Sequence, residues 1–224
     1  MPTPTGALLA PFVASHAECF DGLRLVRLAF VPEIRLHLAD DAVVLRARME
    51  AQAGPGRTPF WANAWAGGQA LARYVLDHPQ VVSGRRVLDL ASGSGLVAIA
   101  AAKAGAAEVT GNDIDPYALS AVAMNAAANA VTVAVTEGDL LDGDAGDVDV
   151  ILAGDVFYDP ELAARMLGFL RRAAQRGTAV LVGDPGRGYL PNRWLTVLTS
   201  YRVRGLGAAE DAELTDVSVL GPAG

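Results

Sequence analysis

The chain is poor in the features that mark several common protein classes. Its single cysteine, Cys19, excludes an internal disulfide framework and a multi-cysteine metal site. Its N-terminus lacks the basic-then-apolar order of a signal peptide, and no uncharged apolar run is long enough to span a bilayer. These absences lead us to expect a cytoplasmic protein that does not engage a membrane.

Basic residues are also scarce. The chain has 18 Lys and Arg against 25 Asp and Glu, which gives a net charge of −7. Proteins that bind duplex nucleic acid normally present a basic face, so we expect no nucleic-acid partner. The three histidines are isolated, and HExxH, CxxC and Walker patterns are absent from the sequence, so we also expect no metal site.

The composition, 52% hydrophobic and 19% charged, is typical of a globular chain, and 224 residues suit one α/β domain. From residue 85 onwards, predicted strands alternate with predicted helices. The strands are RRVLDLA, AEVTGND, VTVAVTEGD, DVDVILAGD and GTAVLVGD. Because these strands are apolar almost throughout, they predict a parallel sheet that is buried on both faces.

The two ends of the chain carry weaker patterns. Residues 15–53 predict a helix followed by an extended or helical arm, and a helix is predicted over about 67–77. Residues 190–201 predict a helix, and YRVRGLG and TDVSVLG predict an antiparallel strand pair. We therefore expect a monomeric three-layer α/β sandwich with a seven-stranded, mostly parallel, doubly wound sheet and an antiparallel last strand. An N-terminal arm would cover 1–60, packed on a single domain over 61–224.

The stretch VLDLASGSGLVAIA, residues 87–100, predicts a strand, a tight turn and the start of a helix. In doubly wound sheets, ligands bind beyond the carboxyl ends of the strands. Gly93 and Gly95 would let a ligand approach the backbone, and the helix would direct its N-terminal amides at it. The turn also fits a loose G-x-G-x-x-G/A pattern, which taken alone would suit a dinucleotide enzyme.

Acidic residues at three successive strand ends favour a different ligand. Asp89 lies four residues before Gly93, where its carboxylate would repel a pyrophosphate. Asp113 ends the next strand and can accept hydrogen bonds from two ribose hydroxyls. Asp139 follows the third strand, where it suits an adenine amino group. An ammonium, a diol and an amino-purine without phosphate describe S-adenosylmethionine.

The motifs VLDLASGSG, GNDIDP and EGDLL resemble those of class I S-adenosylmethionine-dependent methyltransferases, a Rossmann-like family, over about 85–160. PFWANAWAGGQALARYVLDHP, DVILAGDVFYDPEL and VLVGDPGRGYL further resemble the electron transfer flavoprotein β-subunit lysine methyltransferases and their bacterial relatives. That resemblance covers about 32–190. The chain departs from the family at Ala91, where glycine is usual. A positive φ at this alanine would cost about 1 kcal/mol or more.

The resemblance implies that S-adenosylmethionine is the cofactor and S-adenosylhomocysteine the product. Asp89 would hold the methionine ammonium, directly or through water, and the alternative is that it caps the amides of its own turn. Asp139 would bind adenine, and the alternative is a surface acid. The expected cofactor-binding residues are Trp65, Asp89, Ala91, Gly93, Gly95, Asp113, Ile114, Asp139 and Gly154.

Asp155 and Tyr158 match the family's acidic-x-x-Tyr motif and are the expected catalytic residues. A carboxylate beside a lysine amine raises the pKa of that amine, so Asp155 suits orientation of the substrate better than proton removal. The alternative is that Asp155 caps the helix that begins at Pro160 and that Tyr158 only packs. The expected substrate-binding residues are Trp61, Gln69 and Asp184, for which core packing or turn formation are the alternatives.

The resemblance implies an N-methyltransferase that acts on lysine side chains of a protein. The resemblance points to the electron transfer flavoprotein β-subunit as the substrate, and ribosomal proteins are a second candidate. A small-molecule N-methyltransferase is a rival with the same cofactor. A non-catalytic S-adenosylmethionine-binding adaptor is a rival from another class, and a nicotinamide-dependent oxidoreductase is a remote one.

Overall fold

The computed structural model describes residues 20–53, 58–191, 193–204 and 214–223. Cys19 and the start of the predicted N-terminal arm lie outside this part of the chain. The helices are α1 (Ala42–Ala53), α2 (Ala66–Asp77), α3 (Leu96–Lys103), α4 (Pro116–Ala128) and α5 (Pro160–Gln175). The strands are β1 (Leu23–Arg27), β2 (Arg35–Ala39), β3 (Arg86–Leu90), β4 (Glu108–Asp113), β5 (Ala134–Glu137), β6 (Val150–Gly154), β7 (Ala179–Asp184), β8 (Leu195–Arg204) and β9 (Leu214–Pro222).

Seven of the strands form one sheet in the order β5-β4-β3-β6-β7-β9-β8. The first five of these pair in parallel, whereas β9 runs antiparallel to both of its neighbours. The predicted seven-stranded, mostly parallel sheet with an antiparallel last strand is therefore confirmed. The strand order reverses between β3 and β6, which places a ligand crevice at the carboxyl ends of these strands.

Helices cover both faces of the sheet because its central strands are apolar on both sides. Along β6, Val150 and Leu152 belong to one hydrophobic cluster, and Ile151 and Ala153 belong to the other. This alternation follows from the two-residue period of a strand. The first cluster includes α2, α3 and α4, and the second includes α5. Among the described residues, the structure shows no helix with the length and apolarity needed to cross a membrane.

The N-terminal region differs from its prediction. The helix expected early in 15–53 is wrong where the structure describes it, because β1 and β2 form an antiparallel hairpin. The hairpin is attached to α4, since Asn125 of α4 accepts a hydrogen bond from the His37 amide at 2.7 Å. Asn129 of the same helix accepts one from the Arg35 amide at 3.0 Å. The division of the chain at residue 60 stays a prediction.

The helix predicted over 190–201 is also wrong, because most of this segment belongs to β8. Its apolar residues suit helical spacing, but its β-branched residues Thr196, Val197 and Thr199 suit a strand. Pairing with β9 decides between the two, and it buries Leu195 and Val203. The antiparallel pair expected at the end of the chain is confirmed, with a longer first strand.

Candidate active site

A cavity of about 400 Å³ opens at the carboxyl ends of β3, β4 and β5. Its walls are partly apolar, with Leu90, Ala118 and Leu141 among them. Its polar lining includes Asn112, Asp113, Asp139 and Arg165. We call this space the strand-end cavity. An apolar slot with a few carboxylates suits a flat, neutral ring system that carries hydroxyl and amino groups.

Asp113 is the best-anchored carboxylate of the strand-end cavity. Its Oδ2 accepts a hydrogen bond from the Gly93 amide at 2.9 Å, and its Oδ1 accepts one from the Asp115 amide at 3.0 Å. Burial raises the pKa of Asp113 above its ordinary value. Asp115 accepts from the Tyr117 amide and caps α4, as its position before Pro116 predicts. These bonds tie the turn after β3 to the end of β4.

Asp89 lies beneath the same turn and is almost completely buried. Its Oδ2 accepts hydrogen bonds from the Ser92 hydroxyl at 2.6 Å and from the Ala98 amide at 2.9 Å. Burial raises the pKa of Asp89 to about 7, against the opposing effect of these two bonds. The carboxyl group therefore braces the turn and the first turn of α3, as the alternative interpretation of Asp89 expects.

A second group of polar side chains lies where β6 and β7 end. Asp155 follows β6 in a left-handed conformation, with φ at 56°. Its Oδ2 accepts from the Gly68 amide at 3.0 Å, and its Oδ1 accepts from Arg187 at 2.9 Å. Burial raises the pKa of Asp155, and Arg187 opposes that rise. With Asp184 at the end of β7, these residues form what we call the Asp155 cluster: Asp155, Asp184 and Arg187.

Asp184 is fully buried, and its Oδ1 accepts from the Gly186 and Arg187 amides at 2.7 and 2.8 Å. Burial raises the pKa of Asp184 to about 6. Its Oδ2 has no hydrogen-bond partner among the described residues. Asp184 therefore shapes the turn that carries Arg187.

Aromatic rings connect the two groups of polar residues. Phe60 and Tyr158 line the strand-end cavity, with ring centroids 6.0 Å apart, and each is 51% exposed. The Phe60 ring also lies 5.9 Å from Trp65, and the Arg187 guanidinium carbon lies 5.9 Å from the Trp65 ring centroid. A surface of rings thus runs from the cavity to the Asp155 cluster. Such a surface suits an alkyl chain that ends in an amine.

The chain is similar in sequence to known methyltransferases. Residues 69–158 match the family model for the ribosomal protein L11 methyltransferase, PrmA. The electron transfer flavoprotein β-subunit lysine methyltransferase of Xenopus laevis is 41% identical over 214 residues, which are 93% of this chain and 84% of that protein. The human protein of the same name is 36% identical over 86% of this chain and 76% of its own length.

The chain belongs to the electron transfer flavoprotein β-subunit lysine methyltransferase family. Its fold agrees with that of solved structures. TrmN from Thermus thermophilus superimposes with a TM-score of 0.50 at 24% identity, over 80% of this chain and 53% of TrmN. The likeness to TrmN extends to the fold alone.

In this member of the lysine methyltransferase family, several of the predicted site residues meet at the strand-end cavity. The predicted residues among its lining are Trp61, Ala91, Asp113, Ile114, Asp139 and Tyr158. The Gly93 amide donates to Asp113, and Gly95 directly precedes α3 as its N-cap in a left-handed conformation. Trp61 lines the cavity but is buried in the core, where its ring packs against Phe20. Its indole nitrogen has no hydrogen-bond partner among the described residues.

Other predicted residues of the methyltransferase lie away from this cavity. The Gln69 amide is buried and donates to the carbonyls of Ala64 and Arg204, at 2.7 and 3.3 Å. Gln69 thus ties the start of α2 to β8. Gly154 packs against the backbone of Gly68. Trp65 faces Arg187 and Phe60 as described above, so it belongs to the ring surface.

The structure also answers whether Asp155 caps the helix that begins at Pro160. Asp159 fills that position, since its Oδ1 accepts from the Glu161 and Leu162 amides at 3.0 and 2.9 Å. Asp155 is therefore available for another role. Sequence reasoning missed Arg187 and Phe60, although the GDPGR turn and the aromatic residue before Trp61 were visible signals.

Proposed function

We propose that the chain transfers methyl groups from S-adenosylmethionine to lysine side chains of the electron transfer flavoprotein β-subunit. The observation that carries this proposal is the Asp155 cluster. The rings of Phe60, Tyr158 and Trp65 connect this cluster to the strand-end cavity, within a chain that belongs to the lysine methyltransferase family. A carboxylate and aromatic rings together suit the amine and the alkyl chain of a lysine.

The strand-end cavity fits S-adenosylmethionine, which supplies an electrophilic sulfonium methyl group when bound. Asp113 lies at the rim with two oxygens that suit the ribose hydroxyls. Leu90, Ala118 and Leu141 provide apolar walls for the adenine ring. Asp139 is half exposed and pairs with Arg165 at 2.8 Å, so an adenine amino group would share this carboxylate.

Three further roles in binding the cofactor follow from the same fit. Ala91, Gly93 and Gly95 would form the wall under the methionine portion of the cofactor. Asp89 would contribute to binding of the methionine ammonium by holding the turn in place, because its observed hydrogen bonds go to Ser92 in the turn and to Ala98 in α3. Ile114, which is 70% exposed, would cover one face of the adenine.

Asp155 and Tyr158 would act on the substrate. S-adenosylmethionine, when bound, would supply the methyl group and keep on sulfur the electron pair of the broken methyl–sulfur bond, and the lysine nitrogen would supply the pair for the new N–C bond. The proton of the amine leaves to water. Asp155 orients the amine, and Tyr158, Phe60 and Trp65 line the path of the alkyl chain, so positioning supplies much of the rate.

A ribosomal protein is the second candidate substrate, because residues 69–158 match the family model for the L11 methyltransferase. That match covers the cofactor-binding half of the domain. Asp155 also falls within that match, but the aromatic segment before α2, Asp184 and Arg187 lie outside it and fall within the longer alignment with the flavoprotein methyltransferases. The longer alignment favours the flavoprotein subunit. We further propose that the protein acts in the cytoplasm as a monomer.

The test is a parallel assay of purified electron transfer flavoprotein β-subunit and ribosomal protein L11 at equal concentrations. We expect methyllysine in the flavoprotein subunit and at least about tenfold less in L11. Asp155→Asn should reduce transfer by about 10² or more, since misplacement of the amine costs that much, with S-adenosylhomocysteine affinity retained. Glu161→Gln, an exposed acid nearby, is the matched control. Faster methylation of L11 would reverse the choice of substrate.

A further inference from the structure

The Asp155 carboxylate is paired with the guanidinium of Arg187. The Arg187 Nη2 atom donates to Asp155 Oδ1 at 2.9 Å, and the two side chains are 27% and 7% exposed. Salt screens such a pair less than it screens a pair on the surface. Arg187 is itself held by its backbone, because Asp184 accepts its amide hydrogen at 2.8 Å. The hydrogen bonds of Asp184 thus fix the turn that positions the Arg187 guanidinium next to Asp155.

The groups around this pair make the region acidic. Asp184 interacts electrostatically with both Asp155 and Arg187, and Tyr158 interacts with Arg187. Asp113 and Asp159 in turn act on Tyr158. Helix α2 contributes the backbone amides of Gly67 and Gly68 to the Asp155 carboxylate. Within this set, Arg187 supplies the positive charge that balances Asp155.

The balance matters for the chemistry of a lysine acceptor. A lysine amine attacks a methyl group only when it is neutral, and its ordinary pKa is about 10.4. An isolated carboxylate beside the amine would raise that pKa and keep the amine protonated. A pair of a carboxylate and a guanidinium carries little net charge, yet the carboxylate retains lone pairs that accept an N–H from the amine.

We propose that Arg187 is a positioning residue that holds the Asp155 carboxylate and balances its charge, so that Asp155 orients the target amine without keeping it protonated. The inference rests on the proposed function, because it requires a lysine amine as the acceptor. Arg187 neither gains nor loses a proton during transfer. Its planar fork fixes the carboxylate plane, and its charge disfavours an ammonium ion at the same place.

The experiment measures transfer as a function of pH in variants of the full chain. Labelled S-adenosylmethionine and a methyl-poor lysate are mixed with excess enzyme between pH 6.5 and 10, and methyllysine is quantified after acid hydrolysis. The variants are Arg187→Gln, Arg187→Lys and the double variant Asp155→Asn with Arg187→Gln. Arg193→Gln, which removes an exposed arginine after the same turn, is the matched control.

We expect the midpoint of the pH profile to move upward by about one unit in Arg187→Gln, since removal of one nearby charge shifts a pKa by that order. Transfer at pH 7.5 would fall about tenfold, and it would recover toward the wild-type rate at high pH. Arg187→Lys would keep the wild-type midpoint at a lower rate. The double variant would return toward the wild-type midpoint, because it removes both charges of the pair.

A purely structural role for Arg187 predicts something else, namely the same fractional loss at every pH. Parallel profiles for Arg187→Gln and wild type would overturn the inference, as would an unchanged Arg187→Gln rate. If Arg187→Gln does not fold, a shifted midpoint in Arg187→Lys would overturn it. Absence of methyllysine with the wild-type enzyme would instead refute the proposed function, so the two failures are distinguishable.

Discussion

At the residue scale, the candidate site is marked by backbone conformations that glycine would adopt more easily. Ala91 has φ at 55° and Asp155 has φ at 56°. Both residues directly follow a strand that ends at the site. Ala91, which stands where the family usually has glycine, thus makes the turn strained, since a left-handed conformation costs an alanine about 1–2 kcal/mol.

This strain predicts the effect of Ala91→Gly. We expect the free energy of unfolding to rise by about 0.5–1 kcal/mol, because glycine relieves the left-handed conformation but loses more chain entropy on folding. Affinity for S-adenosylhomocysteine should stay within about twofold. Urea unfolding and calorimetry measure the two quantities.

Ala130 provides the matched control for that change. It has φ at 54°, is exposed after the end of α4 and has no proposed role in the site. Ala130→Gly should stabilise the protein by a similar amount. Stabilisation by Ala130→Gly together with destabilisation by Ala91→Gly would contradict the left-handed turn at Ala91.

The sequence indicates which residues lie near one another where a residue follows a strand, while their roles in binding or catalysis stay predictions. Asp113, Tyr158 and Asp155 come at or just after strand ends, and the topology brings these ends to one edge of the sheet. The direction in which a carboxyl group binds is harder to foresee. Asp89 turns toward Ser92 and Ala98, and the pairing of Asp155 with Arg187 spans 32 positions of chain that only the folded turn brings together.

At the scale of elements, the predictable part is the alternation of strands and helices after residue 85. Local signals agree with one another there, since apolar strands are followed by Pro116 and Pro160 at helix starts. The two wrong helices lie at the ends of the chain. β1 and β2 pair with each other and bond to α4, and β8 pairs with β9. Apolar spacing alone contains no information about such partners.

The contact between α2 and the ends of β6 and β7 depends on glycine. A Cβ atom added at Gly67 would overlap the Gly183 carbonyl oxygen and lie 2.5 Å from Asp155 Oδ2. A Cβ atom at Gly154 would lie 2.9 Å from the Gly68 Cα atom. These glycines let the N-terminus of α2 reach Asp155, where its amide and its dipole stabilise a carboxylate.

Gly67→Ala should therefore disturb both the packing and the site. We expect a loss of about 1–3 kcal/mol in the free energy of unfolding, typical of overpacking, together with slower methyl transfer. Gly168→Ala in α5 is the matched control, because its Cβ would lie 3.5 Å from Arg172 Nη1 in ordinary contact. That variant should gain about 0.5–1 kcal/mol in a helix interior. Equal stabilities for the two variants would contradict the close glycine contact.

At the scale of the whole molecule, the strand ends concentrate buried acids. Burial raises the pKa of Asp89 to about 7 and that of Asp184 to about 6, and it raises those of Asp113 and Asp155 in the same direction. Each of these groups binds protons more tightly in the folded chain than in the unfolded chain. Their ionisation therefore opposes folding.

The protein without ligand should consequently become less stable as the pH rises from 5.5 to 8. The unfolded chain binds fewer protons than the native chain in this range, so the slope of the unfolding free energy against pH is negative. Asp149, whose pKa Arg86 lowers to about 2, has a constant effect here because it is ionised in both states. We expect the melting temperature to fall by about 5 °C, with a smaller fall in Asp89→Asn. A rise would contradict the burial of these acids.

The proposed function requires that the chain methylates lysine side chains of a protein. The most direct measurement incubates the purified enzyme with S-adenosylmethionine labelled in its methyl group and a methyl-poor lysate. The label is then separated into a precipitated protein fraction and a soluble small-molecule fraction. We predict that the label precipitates with protein and appears as methyllysine after hydrolysis. Label confined to the small-molecule fraction, or to no product at all, would contradict the account.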